Sequence, residues 1–249
     1  MRIQYLVPGP MRKAHPGEHD ELGRREALLR RWAAPDTDVR ALDSPDGPLS
    51  IESSYEDHLS VPALVRILVA AERDDIDAVI IGCYDDPGID ALRELALRTV
   101  VVGPSASAMH LAATLGTRFG IITVPEPTSI RRYVNANRLD QQLAGIGVIR
   151  SSVLALADDV ERTRADVRAA GEQLLADGAD VLVLGCMSLA FLDFDAELGA
   201  ELGAPVVNPA KVALATAELL VRTGLKPSKL AYPTPTKMRG KASLAEFVA

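Results

Sequence analysis

Ile76-Asp77-Ala78-Val79-Ile80-Ile81-Gly82-Cys83 reappears 103 residues further on (83 to 186) as Ala179-Asp180-Val181-Leu182-Val183-Leu184-Gly185-Cys186. Each copy is an acidic residue, a short apolar β-branched run, a glycine and a cysteine, which reads as a buried strand running into a turn. Two more pairs flank it in the same order. Leu6-Val7-Pro8-Gly9-Pro10 is echoed by Thr123-Val124-Pro125-Glu126-Pro127, and Val101-Val102-Gly103-Pro104 by Val206-Val207-Asn208-Pro209. Three matches in one order indicate a duplicated unit dividing near residues 116–118.

Between these marks, apolar runs alternate with Ala/Leu-rich amphipathic stretches, the pattern of βαβ units. Strands are predicted at Ile3–Val7, Val39–Leu42, Ala78–Gly82, Thr99–Val102, Phe119–Val124, Ile146–Val153, Val181–Gly185 and Pro205–Val207. Helices are predicted at His19–Trp32, Tyr55–Asp74, Ile89–Leu97, Ala106–Leu115, Ser129–Ala144, Asp158–Asp177 and Ala210–Thr223. The expected fold is α/β: two similar lobes, each a mostly parallel sheet flanked by helices, related by a pseudo-twofold axis with the active site between them. Residues 1–117 form the first lobe, with 208–249 packing back onto it, and 118–207 form the second.

The chain has 249 residues, 48% of them apolar, and a net charge of −7, which describes a core-forming protein. No Lys/Arg cluster interleaved with aromatics offers a footprint for nucleic acid. No apolar run approaches a membrane span or a signal segment, so the expectation is a cytoplasmic protein with no membrane partner. Four histidines are the candidates for a metal set. His15 and His19 have helical i, i+4 spacing, but Pro16 and Gly17 lie between them and argue for a loop; no metal site is expected.

Cys83 and Cys186 are the chain's two cysteines, too few for a disulfide framework. In parallel α/β sheets the ligand crevice lies at the carboxyl ends of the strands, where both Gly-Cys pairs fall. Facing lobes would bring two thiols to one cavity from opposite sides. That suits stereoinversion at carbon, one thiolate removing a proton while the opposite thiol delivers one, and it needs no cofactor. The thiols then stay free, separated by the ligand. After Cys83, Tyr84-Asp85-Asp86-Pro87-Gly88 suggests an Asp N-cap with Pro87 at the first helical position, whose positive end would favour the Cys83 thiolate. Asp85 and Asp86 oppose that by like charge. Ser188 is the corresponding cap candidate after Cys186.

These segments resemble the aspartate/glutamate/hydantoin racemase superfamily, and most of all its hydantoin and allantoin racemase branch. Gly82-Cys83-Tyr84-Asp85-Asp86-Pro87-Gly88 is similar to the branch's Cys-Phe-Asp-Asp-Pro-Gly signature, and Gly47-Pro48-Leu49-Ser50-Ile51-Glu52 to its Gly-Pro-x-Ser-Ile-Glu stretch. Arg118-Phe119-Gly120-Ile121-Ile122-Thr123, Leu184-Gly185-Cys186 and Gly224-Leu225-Lys226-Pro227-Ser228-Lys229 correspond in order. The resemblance implies two lobes with one catalytic cysteine each (Cys83, Cys186), no cofactor, a small-molecule substrate, and a homo-oligomer. It implies substrate-binding positions at Pro8, Gly9, Ile51, Tyr84, Thr123, Val124, Gly185 and Met187. The sequence departs from the branch where Asn-Pro-Asn-Thr is replaced by Val7-Pro8-Gly9-Pro10, Thr-Thr by Thr123-Val124, Cys-Ala-Gly-Met by Cys186-Met187-Ser188-Leu189, and an Asp by Asn208. Each change removes a polar group or adds bulk, so a less polar pocket is expected, and an Asn restored at position 9 is expected to improve turnover of small polar ureides.

The expected activity is racemisation of a 5-substituted hydantoin or related cyclic ureide at C5. An amino-acid racemase or dicarboxylate isomerase of the same superfamily is the alternative, with Arg131 and Arg132 as the nearby cationic pair. A two-lobed binding protein without catalysis is the third reading.

Overall fold

The computed structural model describes residues 1–15, 20–124 and 127–238. The first lobe runs β1 (Arg2–Val7), α1 (Met11–Ala14), α2 (Glu21–Trp32), β2 (Asp38–Asp43), α3 (Ser54–Arg73), β3 (Ala78–Ile81), α4 (Ile89–Leu95), β4 (Val100–Val102) and α5 (Pro104–Leu115). The second runs β5 (Phe119–Thr123), α6 (Pro127–Ala136), β6 (Leu143–Val148), α7 (Val160–Ala176), β7 (Val181–Leu184), α8 (Met187–Ala190), α9 (Asp195–Leu202), β8 (Val206–Val207) and α10 (Pro209–Thr223). The sheets have the orders β2-β1-β3-β4 and β6-β5-β7-β8, parallel throughout, so the duplication read from the sequence is a duplication of topology.

Alternate residues of each central strand face two different cores, as the two-residue period of a strand requires. Ala78 and Ile80 of β3, with Val181 and Val183 of β7, point into a core shared by both lobes. Val79 and Ile81 meet Leu64, Leu68 and Leu92 on the outside of the first sheet, while Leu182 and Leu184 meet Val167 and Leu174 outside the second. The shared core is closed by a reciprocal crossing. Helix α5 leaves the first sheet and packs on β7 of the second, whereas α10 leaves the second and packs on β3 and β4 of the first, and the two helices lie against each other. Fully buried Ala108, Ala112, Ala213 and Ala217 let them approach. Met109 and Leu214 fill the seam, each burial stabilising by ~1.5–3 kcal/mol.

Two predicted elements shift. The helix expected over Ser129–Ala144 ends at Ala136, because Arg138 takes a left-handed φ of +59° that breaks it. The strand expected over Ile146–Val153 lies instead at Leu143–Val148. Its Gly145 and Gly147 admit α7, since a Cβ there would stand 3.0 Å from Leu174 and 3.1 Å from Ala170. The start of the helix expected from His19 falls partly outside the described residues. Among the described residues no helix is long and apolar enough to cross a membrane.

Candidate active site

Both cysteines are delivered by one local device. At the end of β3 the Gly82 N–H donates to the Leu6 carbonyl (2.7 Å), and at the end of β7 the Gly185 N–H donates to the Ile122 carbonyl (2.6 Å). A Cβ at Gly82 would stand 2.7 Å from the Leu6 oxygen, and one at Gly185 only 2.5 Å from Ile121. Glycine alone lets the neighbouring strand close in at these points. The residue that follows then leaves the sheet at its carboxyl end. A hydroxyl secures each turn from behind: Tyr5 donates to the Gly82 carbonyl (3.3 Å) and Thr123 to that of Gly185 (3.0 Å).

Cys83 and Cys186 line one cavity, of about 80 Å³, several times the ~10–15 Å³ that a single water needs. The turn after β1 forms one wall, and the first-lobe loop carrying Pro48 and Ile51 another; Val153 and Leu154 enter from the second lobe. Both thiols are free, Cys186 buried and Cys83 partly open to the cavity.

The two sulfurs sit in different fields. Around Cys83, burial raises the thiol well above its ordinary range; the Asp85 carboxylate adds to this, as do Cys186 and Asp57, with the Asp85 N–H pulling the other way. Burial raises Cys186 as well, but the N–H groups of Leu189 and Ser188 and the Arg25 guanidinium favour its thiolate, against Asp85. Burial lifts both thiols, and Cys186 is the easier of the two to ionise.

Arg25 is the cation responsible. It projects from α2 into the cavity wall, 4% exposed, and its Nε donates to Glu21 Oε1 (2.8 Å) and its Nη2 to Ser188 Oγ (3.0 Å). Its guanidinium lies 4.8 Å over the Phe191 ring. Burial works against its charge, but Tyr5 and Glu21 outweigh that. Glu21 is drawn down to about 2: burial opposes the charge, and Arg24 and Arg25 together prevail. Asp85, on the cavity wall, is lifted to about 7 by burial and by the Asp57 charge, against Arg132.

Eight expected residues line this cavity: Cys83, Cys186, Pro8, Gly9, Ile51, Tyr84, Gly185 and Met187. Thr123 and Val124 do not. Thr123 is fully buried with its hydroxyl spent on Gly185, and Val124 packs in the outer core of the second lobe. The structure counts against the expected benefit of Asn at position 9, because a Cβ on Gly9 would stand 2.0 Å from the Pro48 carbonyl oxygen and the loop would have to shift. The predicted caps belong elsewhere. Helix α4 begins after Gly88, which has φ +65° and no side-chain cap. Asp86 instead accepts from the Ser105 and Ala106 N–H groups (3.1 and 3.2 Å) and caps α5. Ser188 accepts from Arg25, while Cys186 itself occupies the N-cap of α8. Arg131 and Arg132 are exposed and do not line the cavity, though the Arg132 charge reaches Asp85 on its wall. His15 lines its edge and His19 lies outside the described residues. Among the described residues no group of three or more His, Cys, Asp or Glu is arranged to hold a metal. Arg25 went unrecognised, although Leu22, Arg25 and Leu29 share one buried stripe of α2; a cation at a core-facing position was the available signal.

Two parallel-sheet lobes, each ending a central strand in a cysteine at a shared cavity, define a class. The model of the Asp/Glu/Hydantoin racemase family matches residues 24–217, and the chain belongs to that family; it is an enzyme of the racemase/isomerase class. It is 33% identical over 226 residues to the hydantoin racemase of Pseudomonas sp. (strain NS671), covering 89% of this chain and 90% of that one. It is 33% identical to the hydantoin racemase of Paenarthrobacter aurescens, covering 81% and 86%. Among solved structures, the allantoin racemase from Klebsiella pneumoniae superposes with a TM-score of 0.84 at 30% identity, covering 97% of each chain.

Proposed function

We propose that this enzyme inverts the C5 stereocentre of a 5-substituted hydantoin or related cyclic ureide, using Cys186 and Cys83 as paired base and acid and no cofactor. The observation that carries this is the convergence of the two Gly-Cys strand ends on one cavity. The Cys186 thiolate removes the C5 proton, and the electron pair delocalises into the neighbouring carbonyl as an enolate. The Cys83 S–H then protonates the opposite face, so the C–H bond broken on one side is re-formed on the other and Cys83 is left as thiolate. The opposite enantiomer follows the reverse course.

The charge inventory supports a neutral ring over a dicarboxylate. Arg25 is already paired with Glu21, the carboxyl on the same wall, Asp85, is acidic, and His15 and Tyr84 complete the ionisable lining without a fixed positive charge to clamp two carboxylates. The less polar first loop, Val7-Pro8-Gly9-Pro10, supports an apolar substituent at C5. The test is a panel of single-enantiomer hydantoins, allantoin and amino acids in D2O, followed by optical rotation and by loss of the exchangeable C–H signal. Loss of rotation with deuterium uptake at C5 of the hydantoins is expected. Turnover of amino acids alone would move the assignment to the other racemases of the family, and an inert panel would leave a binding protein.

A further inference from the structure

The proposed reaction ends with the two thiols in swapped protonation states, and two buried carboxyl groups that act on the Cys83 thiol, Asp85 and Asp57, have no part in the chemistry described so far. Asp85 lines the catalytic cavity. Asp57, in the first turn of α3, lines a separate cleft between α3, α4 and α6, beside His58, Arg132 and Tyr133. The two residues are 6% and 7% exposed. In each, the Oδ1 oxygen is buried without a hydrogen-bond partner, as is the Tyr84 hydroxyl. An unpartnered buried carboxyl oxygen is costly, and two such groups, one on the wall of each cavity and near enough for the Asp57 charge to act on Asp85, call for a reason.

We propose that Asp85 and Asp57 form a proton relay that resets Cys83 between turnovers through the cleft beside α3. The inference deepens the two-thiol reading and rests on it. After Cys83 has given its proton to carbon, the Asp85 carboxyl O–H passes a proton to the Cys83 sulfur. The resulting carboxylate takes one from Asp57, which water in the cleft refills; the proton acquired by Cys186 leaves through the cavity mouth after product departs. For the opposite enantiomer the chain runs outward.

The electrostatics suit the task. Burial and the Asp57 charge hold Asp85 at about 7, against Arg132, so near neutrality it accepts and releases a proton with equal ease. Asp57 is raised too, by burial, against His58, Arg132 and Tyr133. The remaining ionisable groups that feel Asp85 are Cys83, Cys186, Tyr84, Asp86, Arg132 and Tyr133.

Asp57→Asn tests this, because the change is isosteric and Asp57 lies outside the catalytic cavity. With a 5-substituted hydantoin, kcat is expected to fall about tenfold, less than the ~10²–10⁴-fold that a group transferring a proton in the transition state contributes, because Asp57 acts only in the resetting step. Because kcat contains the resetting of free enzyme and kcat/KM does not, kcat/KM should stay within about twofold of wild type, KM falling in parallel. Imidazole buffer should restore kcat in the variant without accelerating wild type. An unchanged kcat, or equal loss of kcat and kcat/KM without buffer rescue, overturns the relay while the two-thiol reading stands. A wild type that racemises no hydantoin overturns that reading and the relay with it.

Discussion

At the scale of single residues, the site turns on a difference between two chemically identical side chains. Inversion needs a competent group on each face, so Cys83→Ser and Cys186→Ser should each abolish racemisation, measured by polarimetry. In either variant the surviving thiol should still exchange deuterium into one enantiomer without inverting it; racemisation at the wild-type rate would refute the pairing. Arg25 adds to the Leu189 and Ser188 N–H groups in making Cys186 the easier thiol to ionise. Its charge favours the Cys186 thiolate, so Arg25→Gln should raise that thiol further and move the alkaline rise of kcat/KM for the enantiomer that Cys186 deprotonates to higher pH. Glu21 keeps Arg24 as a partner in the variant, and Arg25→Lys, retaining a charge but not the planar fork, should shift the profile less. Alkylation of Cys186 against pH reads the same change without substrate. Gly9 makes the opposite kind of point. With the Pro48 carbonyl 2.0 Å from where its Cβ would lie, Gly9→Asn should destabilise the loop by ~1–3 kcal/mol and lower kcat/KM for polar ureides, so polarity lost here is not regained by one substitution.

At the scale of elements, the two lobes solve one problem in two ways. Helices α5 and α10 both begin with proline at the end of an edge strand and need a cap. Asn208 caps α10 with its own side chain, accepting from Ala210 and Lys211 N–H (3.0 and 3.3 Å). Gly103, its counterpart, has no side chain, and Asp86 reaches over from the turn after Cys83 to cap α5. A Cβ at Gly103 would lie 2.4 Å from the Asp86 carboxylate. Gly103→Asn alone should therefore destabilise, Asp86→Ala alone should lose the cap, about 1 kcal/mol, and the double variant should recover part of both losses in a thermal-melt cycle. The repeat that showed the duplication could not show this, since the cap comes from 17 residues upstream (103 back to 86) and only the tertiary structure brings it there. The four inner strands were legible because their apolar runs are buried on both faces. The edge strand β6 was not, because its glycines serve α7 and break the β-branched pattern. The site was legible to the extent that its residues follow a strand end. Arg25 and Leu154 arrive from a helix face and a distant turn, and no spacing along the chain announces them.

At the scale of the whole molecule, the crossing of α5 and α10 fuses the lobes into one core, so the fold can hold charged groups at the seam where they reduce its stability. Asp85 is one of these. Its carboxyl sits at about 7 in the folded chain, against ~3.9 when unfolded. Below pH ~4 both states hold the proton and the group has no effect. Between those values the unfolded chain ionises while the folded one does not, so stability falls as pH rises, by on the order of 2–4 kcal/mol once pH passes the folded value. Asp86 has the same sign, being raised to about 7 by burial against the N–H groups it caps. Glu21, held at about 2 against ~4.3 when unfolded, has the opposite sign: its contribution is complete above the unfolded value and is lost as pH falls from there through the folded one. Asp85→Asn should consequently raise the melting temperature at pH 8 by roughly 5 °C or more and leave it unchanged at pH 4. The same substitution removes the proton carrier beside Cys83, so kcat should fall under the conditions in which the protein becomes more stable, the trade expected of a strained catalytic group. Melts at pH 4 and pH 8, set beside turnover at pH 8, decide the point; a variant destabilised at pH 8 would show that the Asp85 carboxylate is held by interactions that outweigh its burial.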